Sequence, residues 1–305
     1  MKILLEDSQL LNVYLRYREL LERSDKYDII VSINNLTPEI LNDYKKILVI
    51  ERMDSAGIGV KVRRVLDHPH IKNVLKMYCM ADRENHNKPA VSGRLFLNSL
   101  YPDAPTELYD IKISENGFSK IISGFNFLHY NRFDKLFSIL NSVKHKTIKE
   151  RYIDLFYAGT TQYRSPLGID KYITEHRSVC VQNIRRIGEN INVEAYTSLK
   201  FSYNGYIRKM LNTKVILSPF GWGEFCHRDY EALLCGCILV KPHYLKVMQT
   251  PDISKYIITL TDFDSFSEND YNTIMARYQD NQQEAIGFIY KAKKDEQSIM
   301  EDILK

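Results

Sequence analysis

Cysteine, tryptophan, long apolar runs and an excess of either charge are all scarce in this 305-residue chain. Trp222 is the single tryptophan, and the five cysteines stand at Cys79, Cys180, Cys226, Cys235 and Cys237. Their odd number and irregular spacing fit neither a disulfide framework nor a paired zinc site. They read as small core residues in a reducing compartment. No run approaches the roughly 20 apolar residues that a membrane-spanning helix needs. The opening MKILLEDSQLL reaches acidic residues too soon for the apolar stretch of a signal peptide. The expectation is therefore a soluble, cytoplasmic protein without a transmembrane segment. A net charge of +4, from 42 basic and 38 acidic residues, is mild. The basic residues are dispersed, so the chain lacks the stripe that a nucleic-acid partner calls for. No repeat of solenoid period and no low-complexity tract is present.

What the chain has is a repeated alternation of short apolar strands and amphipathic helices. With 44% hydrophobic and 26% charged residues it is long enough for two globular domains. Strands are predicted at Lys2–Leu5, Asp28–Ile33, Lys46–Glu51 and Asn73–Cys79, with helices between them at Leu10–Arg23 and Gly57–Leu66. A further helix starts where Thr37 caps and Pro38 takes the first position. After a linker around Ser142–Glu150 the alternation resumes. Strands are predicted at Ile153–Ala158, Asn192–Tyr196, Lys214–Ser218, Ile238–Val240 and Tyr256–Leu260. Helices at Asp170–Ile187 and Tyr203–Leu211 intervene, and helices at Glu268–Asp280 and Gln283–Ile303 close the chain. This is the rhythm of parallel sheets covered by helices.

The most informative stretch is Lys214–Pro242, KVILSPFGWGEFCHRDYEALLCGCILVKP. It reads as a strand, a turn holding Gly221 and Gly223, a short helix, and a second strand. Spacings of four and three residues place Glu224, Arg228 and Glu231 on one helix face. A helix N-terminus after a glycine turn favours anions, because its free N–H groups and dipole point at them. Arg228 is placed to pair with phosphate, and Glu231 to accept the hydroxyls of a ribose. The alternative is an exposed salt-bridge ladder. Gly236 stands where a helix C-cap glycine belongs.

The motif Gly-x-Gly-Glu-x-x-x-Arg-x-x-Glu-Ala-x-x-x-Gly-Cys-x-x-Val, from Gly221 to Val240, resembles the donor-nucleotide motif of exostosin-like glycosyltransferases. More broadly it is similar to the C-terminal domain of sugar transferases with the two-Rossmann (GT-B) architecture. The stretch beginning at Phe201 resembles the helix that precedes this motif, and Ile153–Thr160 with His176 and Arg177 resembles the domain's opening strand and first helix. The match covers about residues 151–260. The resemblance implies two Rossmann-like α/β domains facing each other across a cleft. Residues 1–145 would form the acceptor-side domain and 146–282 the nucleotide-sugar domain, with 283–305 crossing back to the first.

By the same resemblance the chain is a glycosyltransferase acting on a glycan or other hydroxyl acceptor. Its donor would be a nucleotide diphosphate sugar, with a UDP-sugar favoured and a pentose such as xylose conceivable. The reaction would be inverting and metal-independent, with no cofactor beyond the donor as co-substrate. Glu231 would hold the ribose and Arg228 would face the phosphates or base, supported by Pro219, Gly221, Gly223, Glu224 and the loop residues Gly159, Thr160 and Arg164. Asp54, where a strand of the first domain ends, is the candidate base, although Asp54 or Ser55 could equally cap the next helix. The rival readings are a nucleotide-sugar epimerase or hydrolase, and a silent binding module.

Other features weaken on inspection. Gly57-Ile58-Gly59 and Gly221-Trp222-Gly223 each lack the third glycine of a dinucleotide fingerprint. Asp262-Phe263-Asp264 looks like a metal-binding acidic pair, but turn formation explains it more simply. His68-Pro69-His70 lacks a third metal ligand, and His176 and His227 read as structural.

Overall fold

The structure, a computed structural model, describes residues 2–5, 18–20, 23, 25–51, 56–91, 93–107, 110–123, 131–162, 170–187, 190–197, 201–244, 246–278 and 281–304. The fold is mixed α/β and contains two five-stranded sheets, each parallel throughout. The chain divides into two compact units. The first comprises Met1–Phe133, Leu245–Asp252 and Ala292–Lys305, and the second Asp134–Tyr244 and Ile253–Lys291.

The sheet of the first unit contains β1 (Lys2–Leu4), β2 (Ile29–Ser32), β3 (Ile47–Glu51), β4 (Ile71–Lys76) and β8 (Ile121–Ser123), in that spatial order. β2 and β3 are buried along their whole length, as apolar runs are in a sheet covered on both faces. Two antiparallel pairs complete the unit: β5 (Tyr78–Met80) with β13 (Val247–Gln249), and β6 (Ala90–Val91) with β7 (Thr106–Glu107). The predicted strand Asn73–Cys79 is thus two strands separated at Met77. The helix Pro38–Asp43 starts as predicted, with the Thr37 hydroxyl accepting from Ile40 N at 3.4 Å. The next helix, Val60–Val65, has Gly59 as its N-cap; Asp54 and Ser55 lie outside the described residues.

Inside this unit Arg63 is a buried staple, donating to the carbonyls of Ile58, Ile111 and His86 at 2.8, 3.0 and 2.5 Å. Burial, together with Arg63 and Lys76, pushes the His86 imidazole down to about 4. The native state therefore holds this ring neutral while an unfolded histidine takes its proton near 6.5. The folded state loses stability as pH falls from about 6.5 to about 4, by up to about 3 kcal/mol from this group. Urea unfolding between pH 7 and 4 should show this loss, and His86→Gln should flatten the profile across that window.

The second unit holds β9 (Ile153–Ala158), β10 (Val193–Tyr196), β11 (Thr213–Leu217), β12 (Ile238–Pro242) and β14 (Ile257–Leu260). Their spatial order is β10-β9-β11-β12-β14. The first strand of the unit thus lies between the second and the third, and the winding reverses between β9 and β11. In open α/β sheets that reversal leaves a crevice beyond the carboxyl ends of the two strands, where ligands bind. The helix Asp170–Arg186 packs Cys180, Val181 and Ile184 onto Leu155, Tyr157, Val215 and Leu217.

The helix His227–Leu234 leads from β11 into β12 and ends as the sequence predicts. Gly236 has φ 72°, and Gly236 N and Cys237 N donate back to Leu233 O and Ala232 O, each at 2.9 Å. That double closure needs a left-handed residue, which glycine adopts without a Cβ penalty. Arg151, buried, donates to Thr213 O at 2.7 Å and Cys235 O at 2.8 Å and pins this helix end to the sheet. All five cysteines are free. Burial raises the thiol pKa of Cys180, Cys235 and Cys237, to about 11 for Cys237, so these three are packing residues with little thiolate. Among the described residues no helix is long and apolar enough to cross a membrane.

Candidate functional site

The predicted donor residues of the second unit gather where its sheet reverses. Gly159 and Thr160 follow β9; Pro219, Gly221, Gly223 and Glu224 follow β11; Arg228 and Glu231 lie in the first two turns of the helix His227–Leu234. Arg164 and Asp54 lie outside the described residues.

The helix begins later than the spacing argument assumes. Cys226 is its N-cap, with φ −147° and ψ 170°, and its N–H donates to Asp229 Oδ2 at 2.8 Å. This capping box fixes the first helical residue as His227. Glu224 therefore belongs to the preceding turn, and the expected single face carrying Glu224, Arg228 and Glu231 does not form. Nor do these residues make a surface ladder: Glu224 and Glu231 are each 1% exposed and Arg228 8%.

Arg228 reaches over the sheet edge and lays its guanidinium on the Tyr157 ring, 4.6 Å from Cζ to the ring centre. A Cβ on Gly159 would collide with Arg228 Nη2, so a larger residue in the loop after β9 would displace the guanidinium. Arg228 Nε and Nη1 are buried and make no hydrogen bond with the described residues. Burial opposes the charge of the guanidinium, but Tyr157, Cys226, Tyr206 and Asp229 outweigh it and its pKa is raised. The crevice thus contains a permanent cation with spare donors next to a helix N-terminus. Glu231 points elsewhere, its Oε1 accepting from the Tyr203 hydroxyl at 3.0 Å.

Behind this cation stands a device that motif reading missed. Asp229 and Lys241 are both 0% exposed and paired at 2.9 Å. Asp229 also accepts from the Ser218 hydroxyl at 2.6 Å, and Lys241 lies 5.7 and 5.6 Å from the Phe220 and Phe225 ring centres. The pair ties the end of β12 to the turn after β11 and to the helix start. Arg177 is the second missed residue. Buried on the helix Asp170–Arg186, it donates to Phe220 O at 2.8 Å and Thr160 O at 3.0 Å, joining the two crevice loops.

The remaining candidates resolve as structural. His176 Nε2 accepts from Phe220 N at 3.2 Å and its Nδ1 lies 2.9 Å from Asp264 Oδ1. Asp262 O accepts from Ser265 N at 3.0 Å, as the turn reading of the acidic pair requires. Among the described residues no cluster of three or more His, Cys, Asp or Glu side chains could hold a metal ion.

No family model matches the chain, and no curated protein sequence matches it. Solved structures do align with it at low identity. A GtfA/B complex is 11% identical over 97% of this chain and 60% of its own, with a TM-score of 0.42. TarM is 13% identical over 98% of this chain and 58% of its own, with a TM-score of 0.43. An alpha-glucosyltransferase in complex with UDP-glucose and DNA containing an abasic site is 12% identical over 96% and 79%, with a TM-score of 0.33. The chain spans about three fifths of the length of the first two.

Proposed function

We propose that this chain is a glycosyltransferase whose nucleoside diphosphate sugar donor places its phosphates at the reversal between β9 and β11. The observation that carries the reading is Arg228, a charged guanidinium 8% exposed, with two donor nitrogens unpaired among the described residues, at a helix start on a switch-point crevice. When an acceptor hydroxyl attacks the anomeric carbon, the departing nucleoside diphosphate gains negative charge. A fixed cation and helix N–H groups in a low-dielectric crevice stabilise that charge more in the transition state than in the ground state. The sugar-nucleotide assignment rests on the exostosin-like motif at Gly221–Val240, which also makes uridine the favoured base. Glu231 is the proposed ribose acceptor; for that role its carboxylate, held by Tyr203, must become accessible to the ribose hydroxyls.

Thermal unfolding with uridine, guanosine, cytidine and thymidine diphosphates tests the reading. A ligand at 100 times its Kd raises stability by about 2.7 kcal/mol, so uridine diphosphate is expected to raise the Tm by several degrees. Glu231→Gln should reduce that rise. If none of the four nucleotides raises the Tm, the proposal fails.

A further inference from the structure

We infer that Tyr157 is a second anion-binding residue of this crevice, and that its ring positions Arg228. The inference rests on the donor-site reading above but makes a separate claim about a residue that the motif leaves out. Tyr157 is 0% exposed, and its hydroxyl, like Arg228 Nε and Nη1, is buried without a hydrogen bond to the described residues. The guanidinium and the hydroxyl meet beside Gly159. The point where a Gly159 Cβ would sit is in collision with Arg228 Nη2 and 3.1 Å from the Tyr157 hydroxyl. A buried polar group without a partner costs about 1–3 kcal/mol, more when it is charged, so two such side chains in contact are an expensive arrangement for a purely structural core.

The chemistry of the orphans selects the ligand. Guanidinium N–H groups can only donate, and a phenol can turn its O–H to donate. Two side chains that present unsatisfied donors side by side suit an oxyanion, which brings acceptors alone. The ring contributes separately: stacked at 4.6 Å, it holds the guanidinium plane at the sheet edge. Gly159 supplies the gap that lets guanidinium and backbone pass. Tyr157 thereby acts on the phosphate both directly, through its hydroxyl, and indirectly, by presenting Arg228.

Inorganic pyrophosphate, which carries the oxyanion without sugar or base, is the discriminating probe. Calorimetric titration of the full chain is expected to show binding. Tyr157→Phe should weaken it about 10-fold, as loss of one hydrogen bond to a charged group predicts, with unliganded thermal unfolding unchanged. Tyr157→Leu, which also removes the platform, should weaken it further. Unchanged pyrophosphate affinity in Tyr157→Phe, or no binding by the unmodified protein, overturns the inference. The two claims separate cleanly. If pyrophosphate binds through Tyr157 while no nucleoside diphosphate binds more tightly, the recess stands and the sugar-transfer reading falls. If uridine diphosphate binds Tyr157→Phe as well as the unmodified protein, the reading stands and the role of Tyr157 falls.

Discussion

Arg228→Met is expected to lower kcat/KM for sugar transfer by about 10²–10³-fold, the loss typical of removing one preorganised group that stabilises developing negative charge. The same change should leave thermal stability within about 1 kcal/mol of the unmodified protein. The two effects have opposite origins. In the resting protein Arg228 keeps a full charge under 8% exposure, with Nε and Nη1 unpaired among the described residues. Methionine of similar length removes that desolvation cost, and with it the stacking on Tyr157, worth about 0.5–2 kcal/mol, and the attraction of Cys226, Tyr206 and Asp229 for the charge. A residue retained for packing would behave the other way, with stability falling first and activity following it. Parallel measurement of Tm and of turnover on a UDP-sugar decides the matter; a large stability loss with little change in kcat/KM would remove Arg228 from the site.

Lys241→Met should have the largest effect on stability, about 3–5 kcal/mol, because it strands a carboxylate that has no access to water. Asp229 loses its ion-pair partner but keeps its bonds from Ser218 and the Cys226 N–H, so it cannot swing out. The double variant Asp229→Asn with Lys241→Met should recover a substantial part of the loss, since no unpaired charge is left inside. A double-mutant cycle by urea unfolding measures the coupling. Additive losses would mean that the two side chains do not depend on each other.

The course of the chain was readable wherever an apolar period extended over a whole element. The strands Ile153–Ala158 and Thr213–Leu217 and the helix Asp170–Arg186 lie within one or two residues of expectation. Elements of two or three residues, such as β8 and β13, exist through their pairing partners and show no period of their own. The site was legible in part because glycine and charge cluster at Gly221–Glu231. Its supports were written less openly. Arg177 falls in the apolar series Ile173, Cys180 and Ile184 on its helix, and a charge at such a position signals a buried staple. Asp229, three residues after Cys226, has the spacing of a capping box, but cysteine is a rare cap and the spacing passed unread. Lys241 at the end of ILVKP could have signalled a buried cation, but nothing local names Asp229 as its partner. Tyr157 looks in sequence like any aromatic in a strand; only the close passage of Arg228 past Gly159 gives it a role.

The pairing of β5 with β13 has a consequence for how this protein is made. Tyr78–Met80 must wait for Val247–Gln249, and by the time that segment leaves the ribosome four of the five strands of the other sheet already exist. At ordinary rates of translation the delay is on the order of ten seconds. Throughout that interval the nascent chain carries Tyr78–Met80 without its antiparallel partner, an edge open to pairing with other strands.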